Sequence, residues 1–157
     1  MRKSLSEKTP KELLDLCLQM AKYKKENKEY LTYLIYEAPN EEAYIEGIKR
    51  FMTAEFDNLD RSSFYRLKKN VRKTLRACIK YIRYSKKKAT EAELRLTFCR
   101  ELVRMTPSLK RSTILKNIYH QQLKMVRKAV DKLHEDLQFD YEEEIQALEA
   151  AYRRRSL

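Results

Sequence analysis

Residues 64–87 read FYRLKKNVRKTLRACIKYIRYSKK. Phe64, Leu67, Val71, Leu75, Cys78 and Ile82 recur at the spacing of one face of an α-helix. At about 100° per residue, Lys69, Arg72, Lys73, Arg76, Lys80, Arg83 and Lys87 fall within about 60° of one line on the opposite side. The spacing predicts one long helix over 60–87, capped by Asp60, with its apolar face toward a core and a cationic ridge away from it. From Lys69 to Lys87 the ridge is about 27 Å long by the helical rise, with Tyr65 near one end and Tyr84 near the other. Those rings suit stacking on bases, or rest on lysine stems.

Helix signals continue on both sides. Thr9-Pro10-Lys11-Glu12 combines a cap, a proline at the first helical position and a reciprocal glutamate, so a helix is expected over 10–27 with Leu13, Leu16, Cys17 and Met20 facing the core. A short helix over 28–38 is apolar nearly all round, through Tyr30, Leu31, Tyr33, Leu34, Ile35 and Tyr36, which implies burial. Pro39 ends it and Asn40 caps a third helix over 41–57, where Tyr44, Ile48, Phe51 and Met52 point inward. Beyond the cationic helix, Thr90 and Glu93 form a capping box for a helix over 91–105. A sixth is expected after Thr106-Pro107 as far as Leu137, and Asp140 caps a seventh that ends near Arg155.

About seven helices on short connections make an all-α, antiparallel array in one domain, 1–157, with a flexible segment at 1–8 and a tail at 156–157. Unequal helix lengths favour an irregular bundle; an αα-superhelix of stacked pairs is the alternative, although no residue pattern repeats at a fixed period. Sheet is disfavoured because one glycine, Gly47, and three prolines leave few residues for tight β-turns. Gly47 lies inside the third helix, where it implies the close approach of another helix.

Composition narrows the class further. With 43% hydrophobic and 37% charged residues the chain is too apolar for disorder and too charged for a membrane protein. The longest largely apolar run, 31–36, is too short to span a bilayer, and the amino terminus lacks the apolar core of a secretory signal, so a soluble, cytoplasmic protein is expected. Cys17, Cys78 and Cys99 are far apart and set among apolar neighbours, which suits reduced core thiols and not a disulfide frame or a zinc site.

The net charge of +12 is concentrated: the sums are −2 over 1–60, +18 over 61–130 and −4 over 131–157. Residues 61–90 hold twelve Lys or Arg and no carboxylate. Such a ridge either faces an external anion, remains a solvated surface, or is neutralised by the acidic segment that holds Glu135, Asp136, Asp140, Glu142, Glu143 and Glu144.

Catalytic chemistry finds little support. One glycine excludes phosphate-cradling loops and with them a nucleotide cofactor. His120 and His134 belong to no zinc or di-iron motif; His134 with Asp131, Glu135 and Asp136 reads as a surface ion pair. No serine sits in a nucleophile elbow, so no catalytic residue, cofactor or metal is expected. The expectation is a non-enzymatic binding or adaptor protein whose ridge docks on nucleic acid without sequence preference, or on an acidic protein surface. The alternative is a helical interaction module with no nucleic-acid role, in which the tyrosine-rich first third (Tyr23, Tyr30, Tyr33, Tyr36, Tyr44) binds a partner helix or a second copy forms a homodimer.

Overall fold

The computed structural model describes residues 1–155, so the expected tail at 156–157 lies outside the described residues. The protein is all-α and 85% helical, with no strand among the described residues. Two compact units follow one another along the chain, Met1–Asn40 and Glu41–Leu157.

The amino-terminal unit holds α1 (Arg2–Ser6), α2 (Pro10–Tyr23) and α3 (Lys25–Thr32), the last continued by a π-helical turn Tyr33–Glu37 and a 3-10 turn Ala38–Asn40. The capping box at Thr9 and Glu12 forms as its residues predict. The expected 10–27 helix instead stops at Lys24, whose backbone is extended, and the Asn27 side chain donates to the Met20 carbonyl at 2.8 Å, satisfying a group that α2 leaves open. The greater departure concerns burial. No residue of α2 is buried, Met20 is 65% exposed and Cys17 is exposed as well. In the following turn only Tyr33 is buried, stacked on Tyr30 at 6.4 Å, while Leu34, Ile35 and Tyr36 lie in solvent. Helical spacing identifies which face is apolar; it does not supply a neighbour to cover it.

The larger unit is a helical bundle of α4 (Glu41–Asp57), α5 (Phe64–Ser85), α6 (Lys88–Arg104), α7 (Thr113–Val130) and α8 (Glu135–Arg154). Helix α6 packs against each of the other four. Most of its circumference is therefore buried, with Leu94, Leu96, Phe98, Cys99 and Leu102 fully enclosed, and only a narrow strip through Arg100 and Arg104 reaches solvent. Phe56 of α4 meets Phe98 edge to face at 5.4 Å, and Tyr141 of α8 donates to Glu93 at 3.0 Å. A buried polar chain also crosses the core, where Lys88 and Arg95 hold the two oxygens of Glu91 and Arg95 reaches on to Gln122 of α7. Burial pushes the Cys78 thiol up to about 12 and raises Cys99 as well, so both are protonated packing groups.

Several boundaries shift for identifiable reasons. Helix α6 begins at Lys88 and not after Thr90, because the Thr90 hydroxyl donates to Glu41 at 2.6 Å instead of capping. The sixth expected helix ends at Val130, and His134 caps α8, so Asp140 lies inside a helix that starts six residues earlier than its sequence signal. A Cβ placed on Gly47 would meet nothing within 4 Å, so no close helix approach explains that glycine. No helix among the described residues is long and apolar enough to cross a membrane.

Candidate functional site

The cationic face of α5 is held by determinants at both ends. Ser63, not Asp60, is the cap: its hydroxyl accepts from the Arg66 N–H at 3.2 Å. Asp60 sits one turn earlier, where the hydroxyl and backbone N–H of Ser62, and then Arg66, hold its carboxyl down at about 2. At the other end Lys86 adopts the left-handed conformation, φ 61°, and its N–H donates to the Ile82 carbonyl at 2.9 Å. A lysine thus ends the helix where glycine is usual. Lys87 falls outside the helix and pairs with Glu41 at 3.1 Å, which removes it from the expected ridge. The continuous row then runs from Lys69 to Arg83, about 21 Å by the helical rise.

Along that row the side chains differ in their commitments. Lys69, Arg72, Arg76 and Arg83 are exposed and have no ion-pair partner among the described residues. Lys73 reaches Glu55 of α4 at 3.8 Å yet keeps a side chain 71% exposed. Lys80 is half-buried with its ammonium 5.0 Å from the Tyr81 ring. Tyr65 is open to solvent at the amino end. Tyr84 is half-buried and packs edge to face on Tyr81 at 6.3 Å, so it offers no free ring face comparable with that of Tyr65.

The acidic segment near the carboxyl end takes other partners. Arg127 of α7 binds Glu142 at 3.0 Å and Glu149 at 2.9 Å, and Arg100 of α6 pairs with Glu144. None of these carboxylates bonds to α5 among the described residues. Like charges at i,i+3 and i,i+4 along Lys69, Arg72, Lys73, Arg76, Lys80 and Arg83 therefore cost roughly 1–3 kcal/mol together at low salt.

Comparison with protein-family models, curated proteins and solved structures gives no match. The site must be judged on its own chemistry.

A second cationic row was not singled out from the sequence. Lys116, His120, Lys124 and Lys128 repeat at four-residue spacing on α7, and no carboxylate occurs in that helix. Its signal was the same as for α5, an acid-free helix, diluted by the polar residues Asn117 and Gln121. His120 packs edge to face against Tyr119 and Tyr152, at 5.2 and 5.5 Å. His134 accepts from the Asp136 N–H and lies near its carboxylate at 3.5 Å, a capping arrangement on an exposed turn. No group of three or more His, Cys, Asp or Glu side chains is placed to hold a metal among the described residues. What the α5 row offers chemically is a line of ammonium and guanidinium donors, suited to phosphate or carboxylate oxygens.

Proposed function

We propose that this protein is a non-enzymatic binding protein that docks the outer face of α5 on the phosphate backbone of nucleic acid. One observation supports the reading above the others: four cations of a single helix face, Lys69, Arg72, Arg76 and Arg83, stand in solvent without ion-pair partners among the described residues, while Glu142, Glu144 and Glu149 of the same unit are paired with arginines of other helices. Mutual repulsion along that face weakens the fold, and a bound polyanion relieves it. Phosphate fits better than a folded acidic protein because the row is linear and no apolar side chain interrupts its line except the exposed ring of Tyr65 at one end. Lysine and arginine in such a row fix a backbone and read few base edges, so binding is independent of sequence.

Fluorescence anisotropy with a labelled random-sequence duplex tests the proposal. The expected result is saturable binding at low salt that drops at least about tenfold when Arg72→Glu and Arg76→Glu are combined. Equal binding by wild type and the double variant, or tighter binding to a polyglutamate peptide than to duplex, rejects nucleic acid as the ligand of this face.

A further inference from the structure

A different surface, in the amino-terminal unit, carries an inference independent of the α5 row. On α2 the side chains of Leu13, Leu14, Leu16, Cys17, Leu18 and Met20 cover an arc of roughly 200° of the helix. One neighbouring helix, α3, cannot cover so wide an arc. Leu14 and Leu18 are left 58% and 45% exposed. Beside them lies an open cleft of about 580 Å³, with Leu18, Leu31 and Ile35 on its apolar floor and Lys22, Lys25 and Lys28 around it.

The charge pattern of α2 indicates what fills this cleft. Asp15 and Lys22 lie two turns apart on one stripe, separated by only about 20° around the axis. Both are exposed and neither has an ion-pair partner among the described residues. The acids of α2, Glu12 and Asp15, occupy its amino half together with one base, Lys11, while the carboxyl half holds Lys22 alone, with Lys25 and Lys28 just beyond. An antiparallel copy of the same helix is its electrostatic complement. A two-fold axis running between the two copies, at the level of Leu18 and Gln19, sets Asp15 against Lys22 twice, once on each side. Leu14 and Leu18 of each copy then enter the apolar cleft of the other.

We infer that the α2–α3 hairpin is a self-association surface, on which α2 of a second copy docks antiparallel through Leu14 and Leu18 with reciprocal Asp15–Lys22 pairs. Such an isologous contact uses the same patch on both chains and closes at a dimer instead of growing into a fibre. Two hairpins joined this way form a four-helix packing unit, the common solution for paired helical hairpins.

Sedimentation equilibrium of the full chain and of charge-swap variants tests the inference, with far-UV circular dichroism to verify helicity. Every substituted side chain is exposed, and α2 buries no residue, so the variants retain the fold. Wild type is expected to be a dimer at micromolar concentration, and Leu18→Glu a monomer. Asp15→Lys or Lys22→Glu alone weakens association about tenfold at low salt, since each single change sets like charges together twice. The combined Asp15→Lys/Lys22→Glu variant restores it. A monomeric wild type, a dimer indifferent to Leu18→Glu, or a double swap no better than the single changes would each overturn the assignment.

Discussion

Glu149 of α8 accepts a hydrogen bond from Arg127 of α7 at 2.9 Å, and Glu142 grips the same guanidinium at 3.0 Å. The acidic helix is thereby tied to α7, and through Glu144 to Arg100 of α6, leaving the α5 row to solvent. Replacing Glu142 and Glu149 together by glutamine is expected to cost about 0.5–2 kcal/mol of stability, the range for two partly exposed ion pairs. Duplex affinity is expected to change by less than about threefold, because screening limits their effect on a separate surface. A large gain in affinity would mean that these carboxylates mask the row.

Repulsion within α5 makes a second, less usual prediction. Arg76 stands at i+4 from Arg72, i+3 from Lys73 and i−4 from Lys80, so Arg76→Glu turns three like-charge neighbours into attractive ones. The variant is expected to be more stable than wild type by about 0.5–1 kcal/mol in urea titration at low salt, with the gain shrinking at high salt. It is also expected to bind duplex more weakly. Stability and binding moving in opposite directions is what a ligand face held against self-repulsion predicts.

Gly47 supplies a test of the fold alone. It lies inside α4, and an added Cβ meets no atom within 4 Å. Gly47→Ala is therefore expected to stabilise the protein by about 0.5–1 kcal/mol, through lost freedom of the unfolded chain and better helix propensity. A lower thermal midpoint would show that the space beside this residue is occupied in solution.

Glu91 makes stability depend on pH. Burial works against its charged form, but the hydrogen bond from Lys88 and the charge of Arg95 outweigh burial and hold its carboxyl below the ordinary carboxylate value. A lowered folded-state pKa means that the carboxylate stabilises the fold fully above about pH 4.5, and that this contribution disappears as pH falls through the folded-state value. Glu91→Gln is expected to cost about 1–3 kcal/mol at pH 7 and to flatten the stability profile below about pH 4.5. Parallel profiles for the two proteins would place the acid sensitivity elsewhere.

What the sequence makes legible depends on whether the deciding contact is local. The apolar and cationic stripes of α5, the capping box of α2 and the bounds of α4 are set within a few turns, and sequence spacing gave them. The end of α5 was hidden because Lys86 adopts a conformation normally marked by glycine. Thr90 looked like a cap, but Glu41, distant in sequence, takes its hydroxyl. Val130, Leu133 and Leu137 carry helical spacing straight through a chain reversal, which concealed the start of α8. For the site, six of the seven expected ridge cations do lie on α5, and only Lys87 departs, drawn away by the same Glu41. The exposed face of α2 shows the converse, because an apolar stripe forms a core only where a neighbouring element covers it.

Whether the outer face of α5 contacts phosphates is decided by the salt dependence of duplex binding. Each phosphate neutralised lowers the slope of log K against log salt by about 0.9, so four to six contacts from Lys69 to Arg83 give a wild-type slope between about −3.5 and −5.5. Combining Arg72→Glu with Arg76→Glu is expected to make that slope shallower by about 2. A wild-type slope near zero, or one that the two substitutions leave unchanged, would contradict polyanion docking by this helix.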